Sequence, residues 1–493
     1  MSKVNLDLPT VQIRELRLGS ITAYQGKASE LVSRAQAGTL KDSARSFSQC
    51  MGCSSGQAFC MLSMITDAVV VNHAPIGCLG DASGFNFVYR VEQKNRGLPS
   101  AIGKYYSTNL LEKDTVFGGM QKLRDTVRTA FEREHPNAIF ITTSCASGII
   151  GDDVESVADH LSEDLGIPVI SCFCEGFRSR IWTSGFDSAY HAIVRRLVKP
   201  PRKRSKKVNI INFWGSHIFD DLLSRLGYEA QYIVPFNTVK DLEYISEAVA
   251  TIQICPTLGT YLGAALEQVY GVPEIKVPPA YGMAGTDIWL RELGKVLHRE
   301  QEVEQLIRDG HERVLPQIEA YRKQFAGKTA YLTAGAAHGH SLIAVLRELG
   351  LDVKGAAIFH HDPVYDNGCP TSDVLAHDVE TYGDVRQYNI CNKQAFELVN
   401  LLNRMRPDIM IARHGGMTVW GAKLGIPTLL IGDEQFSFGY DGILHYARRI
   451  AETLDNTEFV TNLARHSTMP YTKWWLKQQP YAFLGRELHV RQY

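Results

Sequence analysis

A single rhythm constrains this sequence most: short apolar, β-branched runs recur along the whole chain, each followed by a longer segment with helical spacing. The clearest strand candidates are Asp67–Asn72, Ala138–Thr143, Pro168–Cys172, Val208–Phe213, Ala230–Pro235, Ala250–Cys255, Lys328–Ala334, Asp352–Phe359, Asp408–Ala412 and Thr428–Ile431. Near-continuous apolar strands are buried on both faces, and strands separated by helices form parallel sheets with helices on either side. The expected fold class is therefore α/β, with doubly wound parallel sheets. At 493 residues the chain is too long for one core. Three domains are expected: 1–205, an N-terminal extension with the first α/β unit; 206–325, the second; and 326–493, the third with the C-terminal tail. The first boundary follows from Pro200–Lys207, PPRKRSKK, whose two prolines and five basic residues read as a solvated linker. The second lies near Gln324–Gly327, after a polar helix that starts near Val296.

The composition excludes several functions. A formal charge of -1 gives no reason to expect nucleic acid or an anionic membrane as a partner. No apolar run approaches the roughly 18 residues of a membrane span. The start, MSKVNLDLPTVQIRELRLGS, lacks the apolar core of a secretory signal, so a cytoplasmic location is expected. There the ten cysteines stay thiols, and clustered ones point to metal or redox chemistry.

Ligands of open α/β sheets bind beyond the carboxyl ends of strands, and several cysteines fall there. Cys145 follows AIFITTS, Cys172 and Cys174 close PVIS, Cys255 follows ATIQI, and Cys78 follows VVVNHAPIG. Core packing is the alternative for a cysteine inside a strand. Upstream, Cys50 and Cys53 form a C-x-x-C, with Cys60 beyond. Zinc or a thiol redox pair is the generic reading of that motif, but no second ligand pair follows at short distance. Glycines beside Cys53 and Cys78 permit close backbone approach to something bulky. Thiolates on glycine-rich turns suit an iron–sulfur cluster.

The succession of motifs resembles the alpha chain of nitrogenase component 1. It runs from Cys53 through HAPIGC (ending at Cys78), EKDTVFGG (Glu112–Gly119), TSCASGIIGDDVESV (Thr143–Val157) and CEGFRS (Cys174–Ser179), to Cys255 with YGVP beyond and LGIPTLL…FGYDGI (Leu424–Ile443). The resemblance implies three Rossmann-like domains and an α2β2 heterotetramer with a homologous beta-type subunit. It also implies electron delivery by a homodimeric iron protein that hydrolyses MgATP. Residue by residue, it makes Cys53, Cys78 and Cys145 ligands of a P-cluster-like [8Fe-7S] cluster at the subunit interface. Cys255 becomes the anchor of a large nitrogenase-type iron–sulfur cluster, expected here to be iron-only. Cys50, Cys60, Cys172, Cys369 and Cys391 have no counterpart and read as ordinary thiols.

The pocket departs from the nitrogenase pattern. Phe186 stands where that family has a hydrogen-bonding histidine, Gly432 where it has the second protein ligand, Gly416 where a lysine holds the organic acid, and Ala337 where an arginine lies. A polyanionic organic ligand would be poorly compensated without those cations, so efficient dinitrogen reduction is not expected. New histidines appear at strand exits: His338, His340, His360, His361 and His414. Each is a ligand, a proton donor or a structural histidine. His414, His361 and His338 are the catalytic candidates, and Asp433 and Glu434 are further proton carriers or solvated carboxylates. Phe186 and Trp182 either pack a core or make the pocket apolar enough for a small thioether. This pattern is most similar to the methylthio-alkane reductases, which cleave C–S bonds of methyl thioethers to methanethiol and a hydrocarbon for sulfur salvage. A scaffold for cofactor assembly and an iron-only or vanadium nitrogenase are the competing readings.

Overall fold

The structure is a computed structural model that describes residues 3–43, 52–80, 89–91, 93–211, 218–391, 395–413, 415–432 and 437–482. Cys50, His414, Asp433 and Glu434 lie outside the described residues. In chain order the strands are β1 (Ala23–Gly26), β2 (Ala68–His73), β3 (Tyr105–Ser107), β4 (Ala138–Thr143), β5 (Val169–Cys172), β6 (Lys207–Ile211), β7 (Glu229–Ile233), β8 (Ala250–Gln253), β9 (Glu274–Ile275), β10 (Thr329–Ala334), β11 (Asp352–Ile358), β12 (Gln387–Cys391), β13 (Ile409–Ala412) and β14 (Thr428–Leu430). Each predicted apolar run coincides with one of them to within about two residues at either end. The unpredicted ones, β1, β3, β9 and β12, lack the signature. YYS and EI are too short for a period, AYQG ends in glycine, and QYNIC alternates polar with apolar.

Three sheets result, with orders β3-β2-β4-β5, β7-β6-β8-β9 and β1-β12-β11-β10-β13-β14. All pairings are parallel except that of the edge strand β1, which runs antiparallel to β12. Each sheet reverses its winding direction at one gap: β2/β4, β6/β8 and β10/β13. Helices leave neighbouring strands toward opposite faces there, which opens a crevice at the carboxyl ends.

Two compact units hold these sheets. The first takes Met1–Arg17 and Gly52–Ile275 with the two four-stranded sheets, and the second takes Leu18–Met51 and Lys276–Tyr493 with the six-stranded sheet. The helices Gly282–Leu297 and Glu300–Phe325, placed before a boundary at 325 by sequence, fall in the second unit. Their buried stripe, including Trp289, Leu293, Val303 and Val314, packs within it.

One continuous core joins both sheets of the first unit, through the helices Ser54–Leu62, Ser184–Arg196 and Pro256–Tyr270. Gly185 permits the closest crossing, since a Cβ there would collide with the Ser54 carbonyl. The N-terminal segment is tied to this core by charge. Arg14 donates from Nε and Nη2 to both oxygens of Asp187 at 3.1 and 2.8 Å, and Arg17 donates to Asp187 Oδ2 at 2.6 Å and to Thr260 Oγ1 at 2.8 Å. Asp187 is fully buried, so its charge exists in the core only because two guanidiniums meet it. Asp187→Ala is expected to lower the stability of the first unit by about 3–5 kcal/mol, because it strands two buried cations. Denaturant unfolding measures this. A loss no larger than that of an exposed Asp→Ala change would show the pairs to be unimportant.

Candidate functional site

The gap between β2 and β4 gathers three thiols. The strands are paired to their last residues, His73 opposite Thr143. Beyond β2 the chain turns through Pro75 into a short 3-10 helix, Ile76–Leu79, that carries Cys78. Beyond β4, Ser144 caps the helix Cys145–Ile150 and accepts the Ser147 N–H, so Cys145 is its first residue. Ser144 Oγ also donates to the His73 carbonyl at 2.9 Å, locking the two exits together. Cys53 sits in extended conformation immediately before the helix Ser54–Leu62. That helix start is fixed by Ser55 Oγ, which donates to the Thr143 carbonyl at 2.7 Å, and by Ser54 Oγ, which donates to the Cys174 carbonyl at 3.1 Å.

Gly176, in the turn after β5, closes the cradle. A Cβ there would lie 2.5 Å from Cys53 Sγ and 3.4 Å from Cys145 Sγ, so only glycine leaves both sulfurs in place. Cys53 and Cys78 are exposed and Cys145 is intermediate. Cys78 sits at the surface, yet its sulfur is desolvated, and close enough to Cys53 and Cys145, for its thiol to be pushed up. Three thiolates here repel one another, and a polynuclear iron–sulfur group is the kind of cation that offsets them. The donor set and the glycine cradle fit such a group, with one face left open.

Residues behind the thiols, not singled out by sequence, hold the cradle. His73 Nε2 meets Asp152 Oδ2 at 2.9 Å and Nδ1 meets Thr108 Oγ1 at 3.1 Å. Asp152 in turn accepts the Gly119 N–H at 3.0 Å. A Cβ on Gly119 would crowd His73, Asp152 and Leu110. The HAPIGC, FGG and GDD motifs thus converge on one buried imidazole. Their co-occurrence was the available signal, but their mutual contact was not.

Cys255 occupies the corresponding place at the β6/β8 gap. It precedes the helix Pro256–Tyr270, whose first position is proline, and only 6% of it is exposed. A single buried thiolate at a helix start is favoured by the helix dipole. Cys174 is buried and tied to Thr143: its N–H donates to Thr143 Oγ1 and its thiol to the Thr143 carbonyl. A hydrogen bond with Cys174, and then burial, raise the Cys172 thiol far above its ordinary value. Phe186 belongs to the core of the first unit, edge-on to the partly buried Trp182 with ring centres 5.8 Å apart.

In the second unit, His338 receives or donates a 2.6 Å hydrogen bond with Tyr281, and burial drives it well below the usual histidine value. His361 is fully buried and held neutral, its value lowered to about 4 chiefly by desolvation. Ala337 lies in the first turn of the helix Ala336–Glu348, Gly432 is buried just past β14, and Gly416 is exposed in the helix Gly415–Lys423.

Comparisons with known proteins show the family and the fold. The family model described as nitrogenase component 1 type oxidoreductase matches residues 53–455. The chain is 29% identical over 425 residues to the nitrogenase iron-molybdenum cofactor biosynthesis protein NifE of Methanococcus maripaludis, covering 80% of this chain and 82% of that protein. It is 26% identical over 431 residues to the nitrogenase molybdenum-iron protein alpha chain of Methanococcus maripaludis, covering 80% and 83%. The solved structure of nitrogenase Cp1 at pH 5 superimposes with a TM-score of 0.67 at 22% identity, covering 88% of this chain and 94% of that one, so the fold is shared.

The buried imidazoles of the first unit make its stability depend on pH. Burial lowers both His73, against the pull of Asp152 and Asp114, and His191, which bonds to Tyr261 and to the Leu8 carbonyl. Below about pH 6.5 the unfolded chain takes up protons that the folded unit refuses. Stability is therefore full above that pH and falls as pH drops, by at most about 1.4 kcal/mol per pH unit for each histidine. Urea titrations at pH 7.0, 6.0 and 5.0 are expected to show the midpoint of the first unit falling. An unchanged slope in the His73→Gln, His191→Gln double variant would refute this origin.

Proposed function

This chain belongs to the nitrogenase component 1 type oxidoreductases, and from that premise we propose that it is the cluster-carrying alpha-type subunit of a reductase that cleaves C–S bonds of small methyl thioethers. The supporting observation is the gathering of Cys53 and Cys145 against Gly176, with Cys78 close enough to both to be pushed up by them. Three thiolates from one chain, partly open to solvent, hold half of a large P-cluster-like group and leave the rest to a beta-type subunit. Exposed apolar side chains flank the same helices and turns: Ile76, Phe117, Ile149 and Phe177. Such a patch fits burial against a protein partner. A homodimeric iron protein using MgATP is the electron source in this reading.

Cys255 is the proposed anchor of the second, larger iron–sulfur group. When bound, these groups supply low-potential electrons for the net reaction R–S–CH3 + 2e⁻ + 2H⁺ → RH + CH3SH. The chain's own part is to hold Cys255 out of water at the helix start and to furnish protons, for which His338 and His414 are the proposed carriers. Phe186, Gly432, Gly416 and Ala337 support a thioether over dinitrogen, because the cations and the imidazole suited to a charged organic ligand are missing.

The complex, isolated anaerobically and given its iron protein, MgATP, a reductant and ethyl methyl sulfide, is expected to release methanethiol and ethane in equal amounts. Absence of methanethiol refutes the assignment. The likeness to NifE over 80% of the chain supports one competitor, a cofactor scaffold, which would instead pass its cluster to an apo-reductase without turnover. Gly176→Ala is expected to remove most of the interface-cluster iron while Gly77→Ala, where a Cβ meets open space among the described residues, retains it. Equal iron contents in the two variants count against the cradle. Cys255→Ala is expected to keep the interface-cluster signal and lose the second one in electron paramagnetic resonance.

A further inference from the structure

The exits of β10 and β11 in the second unit hold a cluster that neither thiol site uses. His340 lies in the helix Ala336–Glu348 that follows β10, and His361 and Asp366 lie in the segment that follows β11. One ligand atom from each of the three lies within 4.8 Å of the other two. His340 Nε2 is 3.8 Å from Asp366 Oδ1, and His361 Nδ1 is 3.6 Å from Asp366 Oδ2. These gaps are too long for hydrogen bonds. Donors sharing one ion at about 2.1 Å sit about 3.0–3.4 Å apart, so seating one draws each imidazole a few tenths of an ångström toward the carboxylate and the two imidazoles together by up to about 1.4 Å.

Both imidazoles are completely buried, and His340 Nε2 and both ring nitrogens of His361 lack a hydrogen-bond partner. A buried ring nitrogen without a partner is costly, and here two of them converge on the same carboxylate. Two other contacts orient the set. His340 Nδ1 is 2.6 Å from the Tyr388 hydroxyl, which leaves Nε2 as the ligating atom. Asp366 Oδ2 accepts the Asp362 N–H at 2.9 Å, and the Asp366 N–H donates to the Asp362 carbonyl at 2.8 Å. Hydrogen bonds of this kind orient metal ligands.

We propose that His340, His361 and Asp366 bind one divalent first-row transition-metal ion, distinct from any iron–sulfur cluster. Two imidazoles and one carboxylate suit zinc or ferrous iron and do not suit magnesium or calcium, which take all-oxygen sets. The ion cross-links the helix after β10 to the segment after β11, fixing two strand exits of the six-stranded sheet. It does not depend on the cluster reading, since none of its ligands is a cysteine.

The test is titration of the full-length chain, freed of loose metal with a chelator, by Co²⁺ and then Zn²⁺. One Co²⁺ per chain is expected, with visible d–d bands and without a sulfur-to-cobalt charge-transfer band; Zn²⁺ should displace it. Asp366→Asn and His361→Gln should each weaken binding by more than the roughly 10–100-fold that outer-shell changes cause. X-ray absorption of the zinc-loaded wild-type chain should show two imidazoles, an oxygen shell at about 2.0–2.2 Å and no sulfur. This decides the matter even where a variant fails to fold. No binding to the wild-type chain, a sulfur shell, or undiminished binding in a folded variant overturns the site.

Discussion

The hydrogen bond from Ser144 Oγ to the His73 carbonyl joins the exits of two parallel strands, and the first thiol site depends on that join. Parallel pairing already brings His73 level with Thr143. It cannot by itself decide where the chain goes next. Pro75 turns one exit toward the 3-10 helix of Cys78, while the Ser144 cap starts the helix of Cys145. Because the winding reverses at this gap, the two exits diverge and leave a crevice whose rim is thiol. The same topological reasoning applies at the β6/β8 gap, where the rim is Cys255.

The two thiol sites differ in a way that follows from burial. Cys53 and Cys78 are open to solvent, and a large charged group on their sulfurs needs further ligands from outside the chain. Cys255 is enclosed and alone. One thiolate at a helix start carries little charge and grips one point, which suits a prosthetic group that arrives complete and keeps most of its surface for chemistry. The open rim with its exposed Ile76, Ile149 and Phe177 and the enclosed single anchor are two solutions to the cost of taking thiolates out of water.

The sheets were legible because buried parallel strands are apolar on both faces, so runs such as AIFITT announce themselves. The antiparallel edge strand β1 and the mixed strand β12 escape that rule. Asn389 is buried in β12, where its side chain accepts the Tyr481 hydroxyl at 2.6 Å. Compactness was less legible. The helix Glu300–Phe325 is polar along most of its length, and nothing local tells which sheet its narrow buried stripe meets. At the site, Cys53, Cys78 and Cys145 were named by the family resemblance; folding sets Cys53 and Cys145 against Gly176 with Cys78 near both. The supports were not: Arg14 and Arg17 lie some 170 residues from Asp187, and neither His73–Asp152 nor His340–His361–Asp366 forms a local pattern. A contact made by folding over such separations leaves no periodicity behind.

The altered pocket residues also gain physical content from their surroundings. At Gly416 an added Cβ meets nothing within 4 Å among the described residues, and the residue is exposed. Packing therefore does not forbid a long basic side chain there, and its absence is a chemical difference, not a steric one. Phe186 is the opposite case. Its ring is part of the core beside Trp182, so a histidine in its place would bury an imidazole among apolar neighbours and require a partner for it. Of these two departures from the family pattern, one sits where the fold would still accommodate a long basic side chain, and the other is held by packing.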